Sequence, residues 1–391
     1  MNKKTILILT SRFPYPLEKG DKLRAYYQIK ALSQKYNIVL CSVSTSLIKQ
    51  DWLQKVEEYC QEVYVFKLNK FKIGLNLLLN MFSEKPFQVA FFYQSSIRKK
   101  ILKIIADFNI DAVYCQLIRS AEYVKNIHSV SKTLDYMDAL SEGMFKRARI
   151  SKGIKRVIFD IEGKRLKMYE NRIYDYFNHH TIISEQDKHK IHHPLNKKIV
   201  VIPNGIDDFF LEHTCRQKKE YDIVFVGNLS YPPNVKSCRY IINQILPIFR
   251  QKGRKVKVLL SGANPSPKIL KLAKNNKNVE VIGWVDDIRM SYCKGKVFVA
   301  PLFIGTGLQN KILEAMALNI PCVTTNLVNN ALNSTPSNEI MIADTAEDFY
   351  SKIVALIDDK KLSDAIANNA YKYVKLNFNW NSISFKIPIF Q

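Results

Sequence analysis

The sequence predicts an α/β protein of two doubly wound, Rossmann-like domains facing each other across a cleft. Three observations predict it. Short, continuous apolar runs alternate with longer stretches of helical periodicity, the pattern of parallel sheets buried on both faces and joined by βαβ crossovers. The pattern pauses near Val200–Ile202 and restarts at Asp222, and the pause holds Ile202-Pro203-Asn204-Gly205-Ile206-Asp207, a proline and Asn-Gly turn. The length, 391 residues, suits about two domains of ordinary size.

The expected strands of the first domain are Thr5–Leu9, Ile38–Val43, Val63–Lys67, Ala112–Cys115, Thr133–Tyr136 and His180–Ile183, with helices such as Leu23–Lys35 and Gln54–Tyr59 between them. The second domain repeats the pattern at Asp222–Val226, Val256–Leu260, Val279–Ile282, Val297–Ala300 and Cys322–Thr324, then turns helical at Phe349–Ile357 and Leu362–Leu376. This places an N-terminal domain at 1–204, a C-terminal domain at 205–372, and a tail at 373–391 that packs back on the first domain. Ligands of such sheets bind where the carboxyl ends of the strands meet the following loops.

Composition removes several classes. Apolar residues make up 47% and charged residues 24%, enough side chain for two cores and too little charge for a disordered chain. The opening apolar run, Ile6-Leu7-Ile8-Leu9, is too short for a signal peptide and reads as a buried strand. No stretch approaches the roughly 20 apolar residues of a membrane span, so a cytoplasmic protein is expected. Seven dispersed cysteines, none in a Cys-x-x-Cys, read as buried thiols of a reducing compartment, neither a disulfide frame nor a zinc site. His179, His180, His189, His192 and His193 match no metal-ligand spacing and read as a solvated surface.

Lys and Arg number 59 against 35 Asp and Glu, a net charge of +24. A lysine-rich solvated surface explains this, as does attraction to a polyanion. Basicity without a recognised motif argues against nucleic acid. Between Lys67 and Lys103, lysines are interleaved with Phe71, Leu75, Leu78, Leu79 and Phe82 at helical spacing. That suits a helix lying in an anionic membrane interface, or an ordinary amphipathic core helix.

The richest segment runs from Val297 through Gly305-Thr306-Gly307-Leu308 into Gln309-Asn310-Lys311-Ile312-Leu313-Glu314-Ala315-Met316-Ala317. A buried strand enters a Gly-x-Gly loop and then a helix, whose first N–H groups bind anions. Lys311, in the first turn, is unfavourable at the positive end of the helix dipole unless an anion is bound. Glu314 follows one turn later and can accept from ligand hydroxyls; a solvated Lys–Glu pair is the plainer reading. A second such loop, Gly227-Asn228-Leu229-Ser230-Tyr231-Pro232-Pro233-Asn234, leads to Lys236. A third runs Ser11 to Arg24, with Gly20, Asp21 at the expected N-cap, and Lys19, Lys22 and Arg24 around them; a charged loop with a capped helix explains it equally.

Taken together these segments resemble the GT-B glycosyltransferases of the retaining, family-four type. The resemblance rests on Pro14-Tyr15-Pro16 with Lys19-Gly20-Asp21-Lys22, Ser184-x-x-Asp187, Ile202-Pro203-Asn204-Gly205-Ile206-Asp207, Phe225-Val226-Gly227-Asn228-Leu229, and Gly307 with Leu313-Glu314-Ala315-Met316-Ala317. Gly20-Asp21-Lys22, Tyr231-Pro232-Pro233-Asn234 and Gln309-Asn310-Lys311 are similar to a subgroup of exopolysaccharide-associated bacterial sugar transferases.

The resemblance implies a retaining, hexosyl-type transfer of a sugar from a nucleotide diphosphate to an acceptor hydroxyl of a glycan or lipid-linked molecule. It implies Glu314 on the donor ribose, and Thr306 where the family carries a sugar-contacting glutamate. It places Asn228 where a diphosphate-binding basic residue is usual, leaving Lys236 and Lys311 to replace that cation. Gly20, Gly227, Gly305, Thr306, Gly307 and Leu308 complete the expected donor site. Lacking Asp-x-Asp, the chain is expected to bind its donor without a metal and to need no cofactor. Asp138, or its neighbour Asp135, is the candidate to orient or deprotonate the acceptor, unless Asp138 caps the next helix. The rival readings are a nucleotide-sugar epimerase on the same fold and a basic membrane- or nucleic-acid-binding scaffold.

Overall fold

A computed structural model describes residues 3–303 and 308–390. The chain divides into two compact units: residues up to Pro203 with those from Trp380 onward, and Asn204–Asn379.

Unit 1 holds β1 (Thr5–Thr10), β2 (Asn37–Ser44), β3 (Glu62–Lys67), β4 (Ala112–Gln116), β5 (Ser131–Asp135), β6 (His179–Ile182) and β7 (Val200–Val201). They form one parallel sheet in the order β3-β2-β1-β4-β5-β6-β7. The continuous apolar run of β1 follows from this position. Ile6 and Ile8 enter the core on one face, Leu7 and Leu9 that on the other, and none is more than 1% exposed. Burying each side chain contributes about 1.5–3 kcal/mol, which fixes both register and face.

Unit 2 holds β8 (Tyr221–Val226), β9 (Val258–Ser261), β10 (Val279–Ile282), β11 (Gly295–Ala300), β12 (Cys322–Thr324) and β13 (Met341–Ile342), a parallel sheet ordered β10-β9-β8-β11-β12-β13. The helix Lys360–Asn377, capped by Asp359, belongs to it. After Asn379 the chain joins unit 1, where Trp380 stacks on Tyr27 and Ile387 and Ile389 enter the core around Ile6 and Ile8. The two-residue strands β7 and β13 are too short to show a period in the sequence.

Three expectations are corrected. The helix Lys70–Leu79 buries Ile73 and packs Leu77 against the core, so its Phe71, Leu75, Leu78 and Leu79 face outward, with Phe82 just beyond it. The core-helix reading of that stripe fails, because the seated face is the opposite one. Not all the histidines are solvated: His180 is buried, and it and His193 sandwich the Tyr174 ring at 3.6 and 3.8 Å. Cys215 and Cys293 are joined in a disulfide with Cα atoms 5.3 Å apart, across 78 residues, a pairing that only the folded topology brings about. No helix of the described residues is long and apolar enough to cross a membrane.

Candidate active site

In unit 2 the loops leaving β8 and β9 meet Lys311, of the helix Asn310–Ala317, at the carboxyl end of the sheet. The Gly227 N–H bonds to the Ser261 carbonyl at 3.0 Å, closing the turn out of β8. A Cβ on Gly227 would stand 2.8 Å from Asn234 Nδ2 and 3.2 Å from Lys311 Cε; one on Gly262 would stand 2.0 Å from the Gly227 oxygen. With φ of +157° and +140°, both positions demand glycine, and the stem of Lys311 crosses directly over the first.

Asn228 spends its side chain on its own loop. Its Oδ1 accepts from the Ser230 N–H at 2.9 Å and the Ser230 hydroxyl at 2.7 Å. Its carbonyl accepts from Asn234 Nδ2 at 2.9 Å. Asn234, near the start of the proline-initiated helix Pro232–Tyr240, is itself 3% exposed, and its Oδ1 is buried without a partner. A buried acceptor left in that state costs about 1–3 kcal/mol unless a ligand or solvent donor reaches it.

Lys311 lies in the first turn of the helix Asn310–Ala317, which has no capping side chain and no acidic residue in that turn. Its ammonium donates to Gln309 Oε1 at 3.1 Å. Burial pushes its pKa down to about 8, with the Glu314 carboxylate opposing. Burial raises the Glu314 carboxyl above its ordinary value, against the Tyr292 hydroxyl, which donates to it at 2.7 Å, and the Lys311 charge. A desolvated cation at an uncapped helix start is chemically incomplete without an anion, and the Asn234 Oδ1 near it without a donor.

Leu308 packs on the unit 2 core. Gly305, Thr306 and Gly307 lie outside the described residues. Lys236 stands elsewhere, exposed on the outer face of its helix, in a groove of about 200 Å³ shared with Arg239, Tyr240, Asn243 and Gln244.

In unit 1, Gly20 opens the helix Gly20–Leu32, and the N-cap is Lys19. Asp21, expected there, lies inside the first turn and binds Arg12 Nη1 at 2.6 Å. Arg24 does not serve a loop site either. Fully buried, it grips both Asp135 oxygens, at 2.7 and 3.2 Å, and donates to the Ile202 carbonyl at 2.8 Å. Asp135 also accepts from the Tyr114 and Thr181 hydroxyls, at 2.9 and 3.0 Å, so none of its surface remains for an acceptor.

Asp138 differs. The turn from β5 puts Met137 at φ +61°, with the Asp138 N–H bonded to the Tyr136 carbonyl at 2.8 Å. Such a backbone is strained for a non-glycine residue and concentrates at functional sites. The next helix, Leu140–Ile150, is capped by Glu170, which accepts from the Ser141 N–H and hydroxyl, so Asp138 is not its cap. Asp138 stays accessible to solvent, yet the protein packed around it and the nearby Asp187 carboxylate push its pKa up to about 6, against Arg24.

At the carboxyl ends of β1 and β2 lies a cavity of about 390 Å³, lined in part by Arg12, Lys19, Lys22, Ser44 and Trp52. Asn234 lay within a quoted motif, but its orphaned oxygen, the Gln309 contact and the Tyr292 hydroxyl carry no signal of their own in the sequence.

Residues 220–359 match the family of glycosyl transferases group 1. The chain is 23% identical over 398 residues to an "Uncharacterized 44.6 kDa protein in cps region" of Klebsiella pneumoniae, covering 96% of each. It is 29% identical over 218 residues to the capsular polysaccharide biosynthesis glycosyltransferase CapM of Staphylococcus aureus, covering 50% of this chain and 57% of that protein. Among solved structures, a glycosyltransferase from Rickettsia africae superposes with a TM-score of 0.67 at 16% identity, covering 99% of this chain and 97% of its own. Anabaena HepE in complex with UDP superposes at 0.64 with 13% identity, covering 98% of each. The chain therefore has the two-domain GT-B fold, and it is a glycosyltransferase whose unit 2 carries the group 1 domain.

Proposed function

We propose that this GT-B glycosyltransferase moves a hexosyl group from a nucleoside-diphosphate sugar to a hydroxyl of a glycan or lipid-linked acceptor, with retention, in the synthesis of a surface polysaccharide. The observation that carries the donor half is Lys311: a desolvated cation crossing Gly227 at an uncapped helix start, next to the unpartnered Asn234 Oδ1. As the glycosidic bond breaks, negative charge grows on the departing diphosphate. Preorganised cations and N–H donors stabilise that charge better than water does. Lys311 and the amides at the start of its helix take this role, and Glu314 takes the ribose; Lys236, exposed in its own groove, is left out of it. No metal is invoked for diphosphate binding. HepE, solved with UDP and with UDP-glucose, and CapM, named for capsular polysaccharide biosynthesis, support the donor class and the pathway class. Asp138 is assigned to the acceptor hydroxyl.

The test is a thermal-shift screen of the purified protein against UDP, GDP, ADP, CMP and their common sugar conjugates. One diphosphate should raise the melting temperature equally with and without added Mg²⁺, and the raise should vanish in Lys311→Ala and Glu314→Ala. No shift with any nucleotide would overturn the reading; conversion of the nucleotide sugar to its epimer without an acceptor would favour the epimerase. NMR of the product anomer decides retention.

The same reading places the protein on the inner, anionic face of the cell membrane. Phe71, Leu78, Leu79 and Phe82 are 80, 61, 67 and 95% exposed, with Lys67, Lys70 and Lys72 nearby. Arg165 donates to the Asn80 and Met81 carbonyls, tying the helix Ile154–Tyr174, with its exposed Ile154 and Val157, to the end of that patch. Apolar side chains rimmed by lysine bind anionic interfaces. The protein should pellet with phosphatidylglycerol vesicles at low salt, and Phe71→Ser with Phe82→Ser should stay in the supernatant. No pelleting of the parent protein would remove the membrane.

A further inference from the structure

Away from the donor loops, unit 2 gathers three metal-ligating side chains that the reaction does not use. His213, Cys215 and Cys293 each offer one ligand atom, and these atoms all lie within 4.8 Å of one another. We propose that, with the two cysteines in the dithiol state, this cluster binds a thiophilic divalent cation of the zinc class and pins loop 212–219 to the unit 2 sheet.

The ligand chemistry favours that class. Two thiolates and an imidazole suit zinc, with bonds of about 2.3 Å to sulfur and about 2.1 Å to nitrogen. Around a tetrahedron such bonds set the ligand atoms roughly 3.5–3.8 Å apart, and the three atoms here lie within 4.8 Å of one another. The disulfide of this structure accounts for the two sulfurs and leaves the imidazole unexplained. His213 Nε2 is buried and has no hydrogen-bond partner. A ring nitrogen in that position loses its water without gaining a donor, a cost of about 1–3 kcal/mol, and a cation would remove it. The other five cysteines are free thiols, and none of them belongs to a metal-ligand group among the described residues.

The remaining positions around the cation are limited. The Asp287 carboxylate, close enough to His213 to interact with it, is held by Arg289, through Nε at 2.9 Å and Nη2 at 2.8 Å; no fourth His, Cys, Asp or Glu joins the cluster among the described residues, so water would complete it. Occupancy requires a thiol or phosphine reductant, which delivers two electrons while two protons convert the S–S bond into two thiols. The cation then displaces both thiol protons.

The placement points to a structural role. Cys293 ends the helix Ile288–Cys293, just before β11 begins at Gly295, and Cys215 Sγ lies 3.7 Å from the Leu318 carbonyl. The cluster thus sits at the amino end of β11, whereas the donor loops leave the carboxyl ends. Its readout is therefore metal content and stability, not transfer activity.

The full-length protein would be reduced with a phosphine, loaded with Zn²⁺, desalted, and its metal counted against protein. About one equivalent should remain. Co²⁺ loading should give sulfur-to-metal charge transfer and the visible bands of a tetrahedral site. Cys215→Ser and His213→Ala should each bind about tenfold more weakly or worse, while Cys60→Ser, in unit 1, should bind as the parent does. Because a Cys293 variant tests core packing as much as binding, the second measurement uses the parent protein. Zn²⁺ should raise the melting temperature of the reduced parent and not of reduced Cys215→Ser, and Mg²⁺ should raise neither. Reduced parent that retains no Zn²⁺, or Cys215→Ser and His213→Ala variants that retain as much, would overturn the proposal. Nucleotide-induced stabilisation is untouched by either result.

Discussion

Each unit has cations at or near the start of a helix that follows a strand's carboxyl end, and the two helix starts have opposite chemistry. At Gly20–Leu32 the charges are settled internally: Arg12 with Asp21, Lys22 with Glu18, Arg24 with Asp135. At Asn310–Ala317, no carboxylate among the described residues lies within ion-pair distance of Lys311, which rests on the neutral Gln309. The difference teaches that a cation beside a glycine-rich turn marks a ligand site only where its neighbours fail to neutralise it. Arg24 is a pillar; Lys311 is the cation we propose for the donor diphosphate.

The sharpest way to break this comparison is to remove each cation without changing its bulk much. Arg24→Met leaves Asp135 buried and uncompensated and should cost about 3–5 kcal/mol in urea denaturation. Lys311→Met should leave the stability of the nucleotide-free protein within about 1 kcal/mol of the parent, since it removes a desolvated charge that no carboxylate pairs. A Lys311→Met protein as damaged as Arg24→Met would make both cations structural and end the distinction.

A second contrast separates a buried proton site of unit 1 from the lysine of unit 2 proposed for the donor. His180, stacked on Tyr174, has its pKa pushed down to about 4 by burial. Its unfolded form takes up a proton near pH 6.5, its folded form only near 4, so stability is lost as pH falls between the two. The full loss is about 3 kcal/mol, and His180→Phe should flatten that acid limb in a denaturation series. Lys311 predicts the reverse dependence for binding. Its charge fades above a pKa of about 8, so diphosphate affinity should fall as pH rises past it. Lys311→Met should bind about a hundredfold more weakly near neutral pH, as loss of a charge-assisted contact implies, with no such slope.

The legibility of the chain follows the same line. β1 was readable because a strand buried on both faces has no choice but Ile-Leu-Ile-Leu, and the turn at Pro203–Gly205 because only such residues break the pattern there. The places of Lys311 in the first turn of its helix and of Glu314 one turn later were readable from the local helical pattern. Arg24 was misread because its partner, Asp135, lies 111 residues away, and no local spacing announces it. The Cys215–Cys293 pair, 78 residues apart, was hidden for that reason too. The outward face of Lys70–Leu79 was ambiguous because periodicity gives a stripe its width and not the side on which the core lies.

The smallest effect sharpens the comparison within unit 1 itself, between two carboxylates three residues apart. Asp135 is saturated by Arg24, Tyr114 and Thr181, so Asp135→Asn should act on folding. Asp138, accessible and lifted to about 6, should act on transfer and leave folding alone. If its carboxylate orients or deprotonates the acceptor, the rate rises with pH through that value and levels off above it. At pH 6 the parent should run at about half its plateau, the fraction ionised at its pKa. Asp138→Asn should lower the plateau and remove the inflection, with an unchanged melting temperature. An inflection near pH 6 that persists in Asp138→Asn would assign the titration to another group, and the strained turn at Met137 would then serve the backbone alone.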